Sequence, residues 1–160
     1  MMLLTEVIIY CMLSNILYKL YAKKKAINFL PFYPKETQDK AIELGLTDEK
    51  AIKDGKQRFL VFFTVVMLIV LLAMIIVLNK AKDFMPAFLQ ILLLMEAANI
   101  FDGVFNHIFW PSIDPLWKIP GLEGYPNTLP MNELIKERVI YAVIQAVAAA
   151  AIAALISFIF

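Results

Sequence analysis

The sequence predicts an all-α membrane protein in which four transmembrane helices form an antiparallel bundle. The chain has 160 residues, of which 61% are hydrophobic and only 18% are charged, and its mean hydropathy is +0.73. Soluble domains have an apolar share of about 45–50%. The charged residues also lie between long apolar runs instead of alternating through them. We therefore expect a single membrane domain over residues 1–160, with spans at about 2–22, 59–79, 84–110 and 132–160.

The first span, residues 2–22, is long enough to cross a hydrocarbon core of about 30 Å at about 1.5 Å per residue. Its basic residues come near or after its end: Lys19, Lys23, Lys24 and Lys25. A signal peptide carries its positive charge before the apolar core. We therefore expect a retained helix with its N-terminus outside.

The first loop, residues 23–58, should contain short helices that lie at the membrane interface. Lys35 to Leu44 has an amphipathic pattern, and Gly45 is placed as its C-terminal cap. Thr47 is the expected N-cap of the next helix, because threonine side chains accept hydrogen bonds from free backbone N–H groups. That helix should lead directly into the second span.

The later connections and the last span follow from length and composition. Only the residues from Asn79 to Asp83 join the second and third spans, which should therefore be antiparallel neighbours.

The loop 111–131 is rich in proline and aromatic residues, so we expect an ordered cap instead of a flexible linker. In the last span, small residues recur every four positions: Ala142, Ala146, Ala150 and Ala154. This face allows close approach of another helix, either in this chain or in a second copy that forms a homo-oligomer.

The distribution of basic residues predicts the orientation. Of the fifteen basic residues, ten lie in or beside the first loop and three in or beside the loop 111–131. Only Lys80 and Lys82 lie on the opposite side. The positive-inside rule then places loops 23–58 and 111–131 in the cytoplasm and both termini outside the cell membrane. The net charge of +1 gives no reason to expect nucleic acid as a partner, so the expected partner is the lipid bilayer.

The third span carries the candidate site. Polar residues interrupt its apolar run from Phe84 to Trp110: Glu96, Asn99, Asp102, Asn106 and His107. On a wheel of about 100° per residue they share an arc of about 140° with Trp110 and with Gly103, which leaves room for a ligand or a helix. From Trp110, His107 lies about 5 Å inside the cytoplasmic boundary and Glu96 about 20 Å. The arc predicts a polar pocket open to the cytoplasm.

The residue types in this arc suggest both acid–base chemistry and binding. A charge at mid-membrane costs about 2.5 kcal/mol or more, so Glu96 should be protonated, paired or exposed to water. We expect Glu96 and Asp102 to be catalytic acid–base groups. The expected ligand-binding residues are Asn99, Asn106, His107, Trp110, Tyr141 and Gln145. The competing explanation is that these polar residues only bond helices together, at about 0.6 kcal/mol per contact.

We expect no metal site, because the spacing spreads the ligand types along about 9 Å of helix and no Glu-x-x-His pair is present. The single cysteine, Cys11, excludes an internal disulfide and a cysteine-pair redox or zinc motif. The sequence identifies no cofactor.

One set of short motifs occurs in a fixed order: Glu43-Leu-Gly-Leu46, Phe101-Asp102, Trp110, Ile119-Pro-Gly121, Glu123 and Tyr125. In these residues the chain resembles a small uncharacterised bacterial family of four-helix integral membrane proteins, with an FD-containing span followed by W and an IPG-x-E-x-x-Y loop. The resemblance covers half of the chain. It implies no substrate or activity, only that the loop and the polar span work together.

Three functions remain open at this point. The preferred one is a cytoplasm-facing intramembrane pocket that binds or acts on a small or lipid-like molecule. The second is a proton- or cation-coupled transporter that works as an oligomer and uses Glu96 for proton exchange. The third is a non-catalytic accessory subunit of a larger membrane complex. The chain contains no nucleophile elbow, phosphate loop or metal-binding repeat, which disfavours the well-marked enzyme classes without deciding whether the protein is an enzyme.

Overall fold

The computed structural model describes residues 2–24 and 26–160, and over that part of the chain its regular secondary structure is entirely helical. The side chains of residues 2 and 22–24 lie outside this description, as does Lys25, one of the basic residues expected after the first span. Four helices are long and apolar enough to cross a membrane: Leu3–Tyr21, Glu49–Leu78, Phe84–Ile113 and Met131–Ile159. The predicted all-α class and the four apolar helices are confirmed.

The helices are α1 (Met2–Lys24), α2 (Lys35–Glu43), α3 (Glu49–Leu72), α4 (Phe84–Phe101), α5 (Trp110–Ile113) and α6 (Met131–Ile159). Two of them continue with a wider hydrogen-bond pattern. A π-helix extends α3 over Ala73–Leu78, and another joins α4 to α5 over Asp102–Phe109. Short 3₁₀ helices lie at Ala26–Phe32 and Pro115–Trp117.

The start of α3 differs from the predicted cap. Asp48, and not Thr47, is the N-cap, because its side chain accepts a hydrogen bond from the backbone N–H of Ala51 at 2.8 Å. Aspartate is at least as good as threonine in this position. The helix then runs from the first loop into the apolar segment without a break, as expected. Gly45 follows α2 with a φ of +69°, a conformation that glycine adopts at little cost.

Of the four long helices, α1 and α4 form the central pair. These two contact each other, α3 contacts α1, and α6 contacts α4, whereas α3 and α6 scarcely contact each other. One apolar core includes buried residues from all four helices: Tyr10, Leu17, Met67, Leu71, Ile91, Leu94, Ala149 and Ala153. The arrangement therefore leaves a gap between α3 and α6.

Small side chains on α6 lie in this core. Ala149 and Ala153 are fully buried, and small residues let helices approach closely. The alanine face predicted from the sequence lies next to these two buried alanines on α6. All of its members are partly or fully exposed: Ala142, Ala146, Ala150 and Ala154. Packing inside the chain thus uses other alanines than those expected to mediate association.

A second apolar cluster, called here the loop cluster, joins the two long loops at one end of the structure. Its buried members are Tyr18, Phe29, Leu30, Tyr33, Ala41, Phe59, Trp117, Ile119 and Leu122. The ring centroids of Phe29 and Trp117 are 3.9 Å apart, and the Tyr33 hydroxyl donates a hydrogen bond to the Trp117 carbonyl. The Thr37 hydroxyl donates to the Pro126 carbonyl at 2.6 Å. Both loops therefore lie at the same end, called the loop end below.

Candidate functional site

Arg138 of α6 is at the centre of the polar site. Its Nη1 lies 2.5 Å from Oδ2 of Asp102, and its Nη2 lies 3.5 Å from Nε2 of His107. The same His107 nitrogen is 3.3 Å from Asp102 Oδ2. The side chains of Asp102 and Arg138 are only 12% and 18% exposed, so they form a largely buried ion pair. We call Asp102, His107 and Arg138 the ion-pair cluster.

Three asparagines extend this cluster into a network across three helices. Asn106 Nδ2 donates to Asp102 Oδ1 at 3.0 Å, and Asn15 Nδ2 of α1 donates to Asn106 Oδ1 at 2.8 Å. Asn99 Nδ2 donates to the backbone carbonyl of Arg138 at 3.1 Å. Both oxygens of Asp102 therefore have donors, which is the condition under which a buried charge is tolerated.

The π-helix brings Asp102 and His107 onto one face. In an α-helix, residues five positions apart lie about 140° apart around the axis. In a π-helix each N–H bonds to the carbonyl five residues earlier, so those two residues lie on nearly the same face. A wheel with α-helical geometry places the two side chains at opposite limits of the arc. Their contact therefore depends on the π-helical segment.

Gly103 allows the Arg138 side chain to lie against the helix backbone. A Cβ atom at this position would be 3.1 Å from Cδ and 3.4 Å from Cγ of Arg138. The sequence predicted that Gly103 leaves room for a ligand or a neighbouring helix. In the structure that room is taken by the arginine side chain of α6.

A cavity of about 600 Å³ adjoins the ion-pair cluster and lies between α3 and α6. Polar residues line one part of it: Asn99, Asp102, His107, Arg138, Tyr141 and Gln145. Apolar residues line the rest, among them Leu60, Met67, Leu68, Leu71, Met95 and Ile152. Apolar walls with a few convergent polar groups are typical of small-molecule binding sites.

The cavity brings together five of the eight residues expected at the site: Asn99, Asp102, His107, Tyr141 and Gln145. Asn106 lies behind Asp102 and supports its carboxylate. Trp110 lies away from the cavity, where the Lys19 ammonium is 3.5 Å from its ring centroid. Trp110 is thus placed to stabilise the loop end through a cation–π contact.

Glu96 is not brought together with Asp102. The side of α4 that lines the cavity runs through residues 95, 98 and 99 and continues to residue 102 of the π-helix. Glu96 is about 100° from residue 95 around the axis. Glu96 is half-buried, and among the described residues it has no hydrogen bond or ion pair. Glu96 and Asp102 therefore lie on different sides of the helix, and their roles as catalytic acid–base groups stay a prediction.

Two residues of the network, Arg138 and Asn15, are not among the residues that the sequence predicts for the site. Arg138 is one of the three basic residues in or beside the loop 111–131 that predict the orientation. A signal for its burial exists, since it lies four residues after Leu134 and eleven before Ala149, both of which are buried on one helical face. Asn15 is a polar residue inside an apolar run, but nothing in the sequence identifies Asn106 as its partner.

A separate polar contact lies away from the loop end. The buried carboxylate of Glu6 accepts a hydrogen bond from Asn79 Nδ2 at 2.8 Å, and the same nitrogen is 2.9 Å from Gln90 Oε1. The two hydrogen bonds connect α1 and α4 to Asn79, at the start of the short connection between the second and third long helices. The three residues of this contact do not line the cavity.

The chemistry of the site must be argued from its own residues. Comparison of the chain with protein-family models, with curated proteins and with solved structures gave no match. Among the described residues, no group of three His, Cys, Asp or Glu side chains is arranged to hold a metal ion. Since both oxygens of Asp102 are engaged by neighbouring donors, the arrangement is better suited to binding and orienting a molecule than to abstracting a proton through Asp102.

Proposed function

We propose that this chain is a multi-pass membrane protein whose cavity between α3 and α6 binds a small or lipid-like molecule. The observation that carries the proposal is the cavity itself, which has the ion-pair cluster on one side and apolar walls on the other. Its volume of about 600 Å³ lies within the range of about 300–1,000 Å³ that is usual for ligand sites. Four helices of sufficient length and hydropathy support the placement in a membrane.

We also propose an orientation, with the four helices as an antiparallel bundle in the cell membrane, the loop end in the cytoplasm and both termini outside. Its support is that the two long loops pack together at one end and carry most of the basic residues. A membrane-impermeant maleimide added to intact cells should label Lys80→Cys. It should label Lys50→Cys only after permeabilisation, and the reverse pattern would contradict the orientation. The buried Cys11 should remain unlabelled in both.

In this placement the gap between α3 and α6 offers a route from the bilayer into the cavity. The apolar residues Leu60 and Leu68 of α3 are each 38% exposed and also line the cavity. A molecule that dissolves in the membrane could therefore enter sideways, with its apolar part along these residues. Its polar part would then meet Arg138, Gln145 and Tyr141 of α6.

The binding function can be tested by filling the cavity. Ala148 lines the cavity, whereas Ala151, on the same helix, is exposed outside it. Native mass spectrometry of protein extracted from membranes should detect a bound molecule in the parent and in Ala151→Trp, but not in Ala148→Trp. A bound molecule that persists in Ala148→Trp, or that is absent from the parent, would contradict the proposal.

A second candidate function is a proton- or cation-coupled transporter that works as an oligomer. It is favoured by the position of Glu96, half-buried and outside the cavity, since an unpaired charge facing lipid is costly. A second copy packed on α4 and on the partly exposed alanines of α6 would cover this carboxyl group. The proposal requires transport that is lost in Glu96→Gln and an oligomer in native membranes, so a monomer would exclude it.

A further inference from the structure

The lining of the cavity includes two long stripes of side chains, one on α3 and one on α6. The stripe on α3 runs from Lys56 to Leu71, and the stripe on α6 runs from Glu133 to Ile152. At about 1.5 Å per residue these stretches are about 22 and 28 Å long. The hydrocarbon core of a bilayer is about 30 Å thick. The cavity is therefore a long groove that begins at the loop end and follows the two helices.

The polarity of this groove decreases with distance from the loop end. The stripe on α6 begins with acidic and basic side chains, continues with Tyr141 and Gln145, and ends with Ala148 and Ile152. After Lys56, the stripe on α3 is apolar apart from one threonine: Leu60, Phe63, Thr64, Met67, Leu68 and Leu71. A ligand that matches this gradient has a charged group at the loop end and a long apolar part.

The charged side chains near the loop end have opposite signs on the two walls. Glu133 and Glu137 of α6 are four residues apart and therefore lie on one face of that helix. The other wall has Lys56 of α3 and Lys35 of α2, of which Lys35 is paired with Asp39 at 2.5 Å. Glu133 and Lys56 are exposed, and the Glu137 side chain is 41% exposed. These groups are accessible to a molecule in the groove.

Three of these charges are not neutralised by neighbouring side chains. Within the described part of the chain, Lys56 and Glu133 form no ion pair. Glu137 Oε2 is 3.9 Å from Nη2 of Arg138, and Arg138 already pairs with Asp102 through Nη1. Two carboxylates on one wall and one ammonium on the other therefore remain for a ligand.

This arrangement matches a head group that carries both an anion and a cation. A phosphate accepts hydrogen bonds from the Lys56 ammonium, and a primary ammonium donates hydrogen bonds to the carboxylates of Glu133 and Glu137. A head group with a phosphate alone leaves both carboxylates without a cation. A trimethylammonium group carries the positive charge but has no N–H to donate.

We propose that the ligand of this groove is an aminophospholipid, whose head group contains a phosphate and a primary ammonium, as in phosphatidylethanolamine. This inference rests on the proposed binding function and adds the chemical class of the ligand. The phosphate lies at Lys56 and the ammonium at Glu133 and Glu137, with the glycerol ester groups beside Arg138 and Tyr141. One acyl chain follows the apolar end of the groove, and the other remains in the bilayer, which the gap between α3 and α6 allows.

The test measures lipid binding to the full-length protein in detergent micelles by native mass spectrometry, after removal of co-purified lipid. Four lipids with identical dioleoyl chains are titrated: phosphatidylethanolamine, phosphatidylcholine, phosphatidylglycerol and phosphatidic acid. We expect phosphatidylethanolamine to bind with a Kd at least about threefold lower than the other three, a modest factor because exposed ion pairs are weak. Glycerophosphoethanolamine, which has the head group without chains, should not displace it, because burial of the chain supplies most of the affinity.

Substitutions near the loop end separate the two head-group contacts. Glu133→Gln and Glu137→Gln should each raise the Kd of phosphatidylethanolamine about threefold without raising that of phosphatidylglycerol. Lys56→Met should raise the Kd of all four lipids, since all contain the phosphate. The matched controls Glu36→Gln and Lys53→Met, at exposed positions outside the groove, should change none of these values. Unchanged binding in both glutamate variants, or an equal rise for both lipids, would overturn the assigned contacts.

The outcomes separate this inference from the proposed function. Phosphatidylethanolamine should bind to Ala151→Trp but not to Ala148→Trp, in which the groove is filled. Equal Kd values for the four lipids, with binding lost in Ala148→Trp, would overturn the head-group class and leave the binding function standing. Displacement by glycerophosphoethanolamine would overturn the lipid as the source of the head group. Binding of all four lipids that persists in Ala148→Trp would overturn both proposals.

Discussion

Removing the guanidinium group of Arg138 should destabilise the protein strongly, because it leaves the Asp102 carboxylate buried without its cation. Breaking a buried ion pair from one side costs about 3–5 kcal/mol. In Arg138→Met, Asp102 keeps the hydrogen bond from Asn106 at 3.0 Å and the contact with His107 at 3.3 Å. We therefore expect the lower limit, about 3 kcal/mol, which is a change of more than 100-fold in the unfolding equilibrium.

The double variant Asp102→Asn, Arg138→Met removes both charges and should recover part of this loss. Replacing both partners of a buried pair by neutral groups is often close to neutral for stability. We expect an interaction energy of at least about 1.5 kcal/mol in the double-mutant cycle. Arg58→Met is the control. The Arg58 side chain is exposed and, among the described residues, bonds only to a carbonyl of its own helix, so its replacement should change stability by less than about 0.5 kcal/mol.

The assay is reversible unfolding in mixed detergent micelles, followed by circular dichroism, with all variants measured under one set of conditions. The reasoning is refuted if Arg138→Met unfolds within about 1 kcal/mol of the parent, or if the losses in the double variant simply add. Either result would mean that the ion pair contributes little to the folded state.

Three further changes test other parts of the structure. Gly103→Ala should cost about 1 kcal/mol or more despite the better helix propensity of alanine, because the new Cβ would lie 3.1 Å from Cδ of Arg138, which Asp102 holds in place. In the Arg138→Ala background, which has neither Cγ nor Cδ at position 138, the same micelle unfolding assay should show no loss. Asn15→Leu leaves Asn106 Oδ1 buried without its donor and should cost about 2 kcal/mol in that assay, so parent-like stability would contradict the network. Trp117→Ala removes a buried side chain, 2% exposed, from the loop cluster and should cost about 3–5 kcal/mol. Hydrogen exchange should become faster at the loop end alone. Exchange that rises equally in all helices would contradict an independent loop cluster.

The helices were predictable because a segment that is apolar over 20 or more residues leaves few alternatives. The burial of Trp117 and Leu122 in the loop 111–131 was predictable for a related reason, since such residues gain much from burial and are seldom left in flexible linkers. Asp102, Asn106 and His107 are predicted as site residues because polar groups in an apolar run need partners, and the structure shows such partners for all three.

What the sequence did not give was the identity of those partners. Arg138 pairs with Asp102 across 36 positions, and only the packing of α6 on α4 brings the two together. Glu96 and Asp102 share one side of an ideal helical wheel. In the structure Asp102 lines the cavity, whereas Glu96 lies outside it. The direction in which a side chain points from its helix depends on tertiary packing and on the local hydrogen-bond pattern. A helical wheel with a constant angle per residue contains neither.

The π-helix between α4 and α5 is equivalent to one residue inserted into an α-helix. Deletion of Val104, whose side chain is 47% exposed, would let the segment return to α-helical geometry. His107 would then follow Asp102 by four positions, and residues four apart lie on the same face of an α-helix. The contact between the two side chains and the direction of the segment that follows would therefore be kept. The π-helical segment thus accommodates one extra residue without turning the site away from α6.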